Sequence, residues 1–462
     1  MSDVCIVGNG VIGLQTAYEL VRRHPGISIA LVGPRARPGC ASLAAAAMFN
    51  SFCEIDAGTF GNPVEVEKFE FNRLANGRWP GLLERIRADA GANVSAGFGT
   101  YLINNSGSDT LEDENFDQIL AALHRYEEPF EEVNPREIPH YRPEARHRAS
   151  RALYIPREGW VNPIELIEAL STILARSPNV RFVDDICVRL SQKAGRVTAA
   201  WTEHSGEVTA EQFLVCNGAS FSSLVDASNL GIDFQRVFYG VGATVLLETG
   251  IETLSNCIRT PNRGLACGLY SAPQSSHETV VGASNFISPG PTLHVRLTSI
   301  YTILRSIMEQ LNQAYYRAEL IRINVGWRPT SSDTLPMLGA TSIANLFVAT
   351  GTKRDGLHCS PVIAEFIADL LVEGKSAYQF ELFNPERKLN RYLPRDAAIA
   401  TLVRHTMNAA YQHDFVPAKN RMSEDLEAYY TMEFTKLHDD VGALTWGIPA
   451  ELKDMYRYGH IK

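Results

Sequence analysis

Three glycines near the start of the chain are the residues best placed to do chemistry. In Asp3-Val-Cys-Ile-Val-Gly-Asn-Gly-Val-Ile-Gly13 an apolar run, Val4 to Val7, breaks into Gly8, Gly10 and Gly13; Leu14, Ala17, Tyr18 and Val21 then follow at helical spacing. Gly8 permits a tight turn, Gly10 lets backbone approach a pyrophosphate, and Gly13 lets the helix pack closely on its strand. The helix would begin at Val11 and Ile12, where free N–H groups and the helix dipole favour a diphosphate. A second strand, Ser28 to Val32, closes the unit, and that context makes a dinucleotide fingerprint of an otherwise weak motif.

One part of the fingerprint is missing. An acidic residue is expected about twenty residues on, holding the ribose hydroxyls, and position 33 is glycine. Arg35 and Arg37 come next; they could receive a 2′-phosphate, lie against an adenine, or be solvated loop residues. The motif therefore leaves the choice of dinucleotide open. Nothing else in the chain supplies its own reaction centre: it has no G-x-S-x-G nucleophile turn and no H-E-x-x-H. The twelve histidines lack ligand spacing and the eight cysteines form no C-x-x-C pair, so no metal site is expected.

The elements that must position these residues come from a chain of 462 residues, long enough for two domains and an appendage. With 45% apolar and 21% charged residues it reads as a soluble globular protein. A net charge of −9 and a pI near 5.8 argue against nucleic acid or an anionic membrane as the main partner. No apolar stretch is long enough to span a bilayer and no signal sequence precedes the first strand, so a cytoplasmic location is expected.

Gly39-Cys-Ala-Ser-Leu-Ala-Ala-Ala-Ala-Met-Phe-Asn50 is a run of small residues that suits either a flat ligand lying on the backbone or a helix buried on the sheet. The pattern then predicts a helix over 64–90, a strand at 99–104, a helix over 111–126 and a proline-rich connection through Pro135, Pro139, Pro143 and Pro156. A helix over 164–176, a strand at 180–183, a hairpin over 189–203 and a strand at 212–216 follow. A second meander is expected near 239–248, 265–271 and 279–282, then a helix over 294–312, a strand at 319–325, and a last strand and helix around Gly351 and Gly356. Beyond residue 376 short helical patterns carry many aromatics. They could pack on the body or a second subunit, giving a homo-oligomer, cover a substrate entrance, or stay disordered.

Taken together these stretches resemble the flavin-dependent family of D-amino-acid oxidase, glycine oxidase and sarcosine oxidase, nearest in layout to glycine oxidase, over about residues 1 to 375. The matching pieces are G-N-G-V-I-G at 8–13, C-A-S-L-A-A-A-A-M at 40–48, G-W-V-N-P at 159–163, C-N-G-A at 216–219 and L-Y-S-A-P at 269–273. V-V-G-A-S at 280–284, G-W-R-P at 326–329, L-P-M-L-G at 335–339 and N-L-F-V-A-T-G with R-D-G-L at 345–357 continue the order. The resemblance implies an α/β, two-domain flavoprotein. A discontinuous Rossmann-like FAD-binding domain (1–90, 150–222 and 324–375) would carry an inserted, mainly antiparallel substrate-binding domain (91–149 and 223–323), with a helical C-terminal extension (376–462). FAD is the implied cofactor, held by Gly8, Gly10, Val11, Ile12, Gly13, Arg35, Ser42, Leu43, Ala44, Gly218, Ala219, Gly351, Arg354, Asp355, Gly356 and Leu357.

The family oxidises a C–N bond of an amine or amino acid by hydride transfer to flavin N5; the imine hydrolyses and oxygen, or another acceptor, takes the electrons. Arg328 matches the arginine that grips the substrate carboxylate, for which a planar fork is suited. Tyr270 and Asn285 fall on pocket positions, Met48, Asn50 and Glu54 on the segment beside the flavin, and Arg354 near both flavin and substrate. Gly33 and Thr352 depart from the family pattern, and the extension has no counterpart in its simpler members. A biosynthetic dehydrogenase or desaturase with another acceptor, and a flavin-holding non-catalytic subunit, are the competing functions.

Overall fold

The computed structural model describes residues 1–461 apart from 106, 108, 265, 266, 414, 419 and 420. The glycine motif opens a six-stranded sheet ordered Met337–Ala340, Leu346–Thr350, Ala210–Val215, Ser2–Val7, Ile29–Val32, Val180–Val183. All its pairs are parallel except the one between Met337–Ala340 and Leu346–Thr350. Parallel strands need cover on both faces. Helices Val11–Arg23, Pro163–Arg176 and Ser360–Glu373 supply one layer, burying Leu14, Leu170 and Ile367. Helix Phe221–Ser228 and a small sheet, Cys187–Lys193, Arg196–Thr202 and Glu207–Val208, supply the other around Phe213 and Val215. Arg23, at the end of its helix, pairs with Asp369 at 2.7 Å and locks two helices of the first layer.

A larger, mixed sheet faces the first. Its backbone is the pairing of Val237–Glu248 with Glu319–Ser331 along their whole length, and of Ala96–Asn104 with Arg151–Val161. Helix Leu297–Gln310 covers one face through Ile303 and Ile307.

Several elements differ from the sequence expectation for identifiable reasons. The helix expected over 64–90 is two, Pro63–Asn76 and Trp79–Ala90, because Pro80 has no N–H to continue the ladder. The proline-rich connection holds through Pro143, but its last proline, Pro156, lies in the strand Arg151–Val161. Its register against Ala96–Asn104 shifts between Phe98 and Thr100, and Pro156 sits in that bulge, where the ladder asks nothing of it. That strand and residues 324–331, placed with the nucleotide-binding segments on sequence grounds, belong to the large sheet. Of the strand expected at 265–271, positions 265 and 266 lie outside the described residues, and the strand runs Tyr270–Pro273. G-W-V-N-P has a local role: Asn162 caps helix Pro163–Arg176 by accepting from the amides of Ile164 and Glu165, with proline at the first helical position.

The C-terminal extension folds into helices Arg395–Gln412 and Met422–Asp440 and a short helix, Lys453–Arg457. Leu402, Phe434, Trp446 and Ile448 form a core with Phe238 and Ile287 of the large sheet, so the aromatic spacing serves packing onto the body. Among the described residues no helix is long and apolar enough to cross a membrane.

Candidate functional site

Between the two sheets lies a cavity of about 380 Å³. One end is backbone and small side chains: Gly8, Gly10, Val11, Ile12, Ser42, the alanines 44 to 47, Gly218 and Ala219. The three glycines divide their work as their spacing implies. A Cβ on Gly8, whose φ is +126°, would meet the Cys216 carbonyl oxygen at 2.4 Å, and one on Gly13 would meet Gly8 O at 2.0 Å. On Gly10 the nearest atom would be Ser42 Oγ at 3.7 Å, so this glycine alone keeps space free on the cavity side. No side chain caps the helix at Gly10, while Ser42 Oγ accepts from Val11 N at 3.3 Å. The N-terminus of Val11–Arg23 is thus open to an anion. This cradle, with the small-residue run beside it, fits FAD.

Gly33 stands where an acidic ribose ligand was expected because Asn9 fills the position. A Cβ on Gly33 would lie 2.5 Å from Asn9 Cγ, and Asn9 Nδ2 donates to Pro34 O at 3.0 Å. Of the two arginines, Arg37 lines the cavity and donates from Nε to Asn9 O at 2.9 Å. Arg35, expected at the adenosine, is 81% exposed in its side chain and faces Asp184 at 3.6 Å. The chain turns at Arg37, which has a φ of 44°, and that turn sends the two side chains apart. Leu43, Gly13, Gly351 and Asn285 are also outside the cavity wall; Asp355, Gly356 and Leu357 are in it, and so is Ala44.

The other end gathers Met48, Asn50, Glu54, Tyr270, Arg328 and Arg354, from four separate segments. Arg328 lies on strand Glu319–Ser331 and its guanidinium fills the space that a side chain at Gly242 of the paired strand would need, 2.3 Å from such a Cβ. Its Nη1 donates to Ser284 O at 2.9 Å and Asn285 Oδ1 at 3.1 Å; among the described residues no carboxylate pairs with it. Asn285 therefore orients Arg328 from behind. Tyr270 is buried, and burial pushes its hydroxyl well above the ordinary range, so it stays protonated.

Glu54 ties this end together. It pairs with the fully buried Arg259 at 2.5 Å and lies 3.8 Å from Arg354. Burial alone would raise the carboxyl, but the guanidiniums of Arg259 and Arg354 outweigh it and hold it down at about 2. Arg354 Nη1 in turn donates to Cys267 Sγ at 3.1 Å. Arg259 and Cys267 were not singled out as site residues in the sequence, and Arg37 stood there only beside Arg35 as a candidate for the adenosine end. Arg259 and Cys267 left no local signal.

With this geometry in place, the fold and cradle define a flavin-binding oxidoreductase. The family model "FAD dependent oxidoreductase" matches residues 3–370, and the chain belongs to that family. It is 25% identical over 399 residues to the glycine oxidase of Geobacillus kaustophilus, an alignment that covers 84% of this chain and 98% of that protein. It is likewise 25% identical over 417 residues to the bifunctional protein ThiO/ThiG of Trichormus variabilis, of which it spans 58%. The crystal structure of the Geobacillus glycine oxidase superposes with a TM-score of 0.71 at 23% identity, covering 84% of this chain and 99% of that one. That of iminodiacetate oxidase from Chelativorans sp. BNC1 superposes with a TM-score of 0.70 at 20% identity, covering 83% and 100%.

Proposed function

We propose that this FAD-dependent oxidoreductase oxidises the C–N bond of a small amino acid or related amine. The observation that carries the proposal is Arg328: a cation in the cavity wall, braced by Ser284 and Asn285, with no protein carboxylate among the described residues to neutralise it. A substrate carboxylate would complete the pair through a bidentate contact. FAD, when bound, supplies the acceptor for the hydride leaving the carbon next to nitrogen. The chain's residues do the rest. Arg328 fixes the carboxylate, the protonated Tyr270 donates a hydrogen bond beside it, and Arg354, held by Glu54, keeps positive charge at the same end. The imine product hydrolyses in water. Relatives named glycine oxidase support an amino acid over other substrates.

In this proposal the six-stranded sheet and its helices bind FAD, and the large sheet carries the substrate residues. All eight cysteines are unpaired, which suits a reducing cytoplasm. Oxygen is the proposed electron acceptor. An L-proline dehydrogenase among the structural neighbours keeps a different acceptor as the second reading.

Mixing the yellow holoprotein with amino acids and amines without oxygen tests the function. Flavin bleaching by at least one small amino acid is expected, with about one peroxide per turnover once air is admitted. Bleaching without peroxide would favour the other acceptor, and no bleaching by any amine would overturn the proposal.

A further inference from the structure

A second cavity, of about 470 Å³, meets the first at Glu54, Lys353, Arg354 and Asp355. Its floor is the segment from Ser51 to Asn62 and helix Pro63–Asn76; its roof comes from the C-terminal extension, with Tyr392, Ala398, Thr401, His405 and Glu451 facing inward. The roof lies outside the span of the family match, which ends at residue 370. The chamber is therefore an addition of this chain to the common fold.

The charges in its wall are not balanced evenly. Lys68 is held by Glu65 at 2.8 Å, Lys353 by Glu451 at 2.6 Å, Arg263 by Glu112 at 3.1 Å and Arg404 by Glu114 at 2.5 Å. Arg354 is engaged with Glu54 and Cys267. Asp56 and Asp355 differ: no lysine or arginine of the described residues lies within ion-pair distance of either. Asp56 takes one hydrogen bond from Asn262 Nδ2, at 3.1 Å. Burial pushes the Asp56 carboxyl up, Arg354 opposes that from beyond ion-pair distance, and the imidazole of His405, itself pushed down by burial, acts on it from the roof. A carboxyl that lines a chamber with no direct ion-pair partner leaves room for a ligand cation to supply one.

We propose that this chamber is a subsite for the far end of the substrate, in which Asp56 receives a distal ammonium or guanidinium while the oxidised end lies against Arg328 and Tyr270. The inference rests on the amine and amino-acid function proposed above and narrows it to compounds with two separated cationic nitrogens. The shared wall at Glu54 and Asp355 is where such a molecule would pass from one cavity to the other.

Two matched pairs of compounds test the subsite on the FAD-loaded protein: lysine against norleucine, and 1,4-diaminobutane against butylamine. Each pair differs only in the distal charge. Apparent affinity is read from flavin reduction without oxygen and, independently, from titration calorimetry. The charged member should bind roughly tenfold tighter or more, about 1.4 kcal/mol per decade. That preference should fall toward unity in Asp56→Asn, which keeps the shape, and in Thr401→Trp, which fills the roof. Equal binding within both pairs, or a preference that survives both variants, overturns the subsite. So does a Thr401→Trp protein that weakens all four compounds alike, which would make the chamber an entrance only. If Arg328 does not hold a carboxylate, the lysine pair loses its advantage over the diamine pair while the distal preference persists. If no compound reduces the flavin, calorimetry with 1,4-diaminobutane still decides the subsite, and only the proposed reaction fails.

Discussion

The cavity that fits FAD and the chamber beside it are built in opposite ways. The first is made by withholding atoms: Gly8, Gly10 and Gly13 and the alanines 44 to 47 keep side chains out of the way of a large flat group. The second is made by supplying charge: Asp56 and Lys68 from the floor, Lys353 from the loop before the last helix of the FAD-binding sheet, and Arg404 and Glu451 from the C-terminal extension converge there. A cradle of absent Cβ atoms can be encoded in a dozen consecutive residues, because strand, turn and helix follow one another in the chain. A charged chamber has no such local grammar, since every member is placed by tertiary packing.

The sharpest test of the first construction is Gly8→Val. With a φ of +126° and the Cys216 carbonyl 2.4 Å from the new Cβ, the turn has neither conformation nor space for it. The purified variant should contain no measurable FAD, read from its absorbance and from flavin released on denaturation. A fully yellow variant would break the claim that missing atoms make this cavity.

The second construction should fail differently. Removing the chain after residue 380 uncovers Phe238 and Ile287, and the product is expected to aggregate or change its oligomeric state. A milder version is Leu402→Ala in the fully buried roof core, which should cost about 2–5 kcal/mol and lower the melting temperature. FAD content in the folded fraction should be unchanged. If Leu402→Ala releases FAD as readily as Gly8→Val, the two cavities are not the separable constructions described.

Arg328, in the wall of the first cavity, carries the next largest effect. A charge-assisted contact to a carboxylate is worth about 1.5–3 kcal/mol. Arg328→Met should therefore weaken apparent affinity for amino acids roughly tenfold or more, and Arg328→Lys less, with FAD content intact. Wild-type affinity in the Met variant for every carboxylate-bearing substrate would make a neutral amine the better substrate class.

The same contrast explains what could be read in advance. The glycine unit, the small-residue run and Arg328 were legible because each is a local pattern or part of one. Gly33 was legible as an anomaly but not as a solution, since Asn9 fills its place only once the turn closes. Strand Arg151–Val161 was hidden by Pro156, which speaks against a strand unless a bulge receives it. Arg35 and Arg37 are equivalent by type and spacing, and only the backbone turn at Arg37 separates them. The roof was legible as helical and packed, but that its far side walls a chamber depends on contacts with residues 51–72, which no periodicity reports.

The wall between the two cavities gives the smallest predicted effect, and it rests on a residue in neither. Glu54 sits on the turn Phe52–Glu54, and the fully buried Glu158, from the bulged strand, accepts from the amides of Phe52 at 2.5 Å and Cys53 at 3.3 Å. Burial pushes the Glu158 carboxyl up to about 7, against the opposing pull of those hydrogen bonds and of Arg259. A carboxyl raised in the folded state binds its proton more tightly there than in the unfolded chain. Its contribution is therefore fully present below the unfolded pKa and is lost as pH rises toward 7. Between about pH 5 and 6.5 the folded protein holds up to one extra proton, so this group should remove about 1–2 kcal/mol of stability over that interval. In Glu158→Gln the amide oxygen can still accept from Phe52 and Cys53, but nothing titrates. Denaturant melts at the two pH values should show the variant losing less stability than the wild type on going from 5 to 6.5, with the Glu54 turn and FAD content retained. Equal losses in both proteins would mean that Glu158 is ionised throughout, and that the wall between the cavities is held by a charge after all.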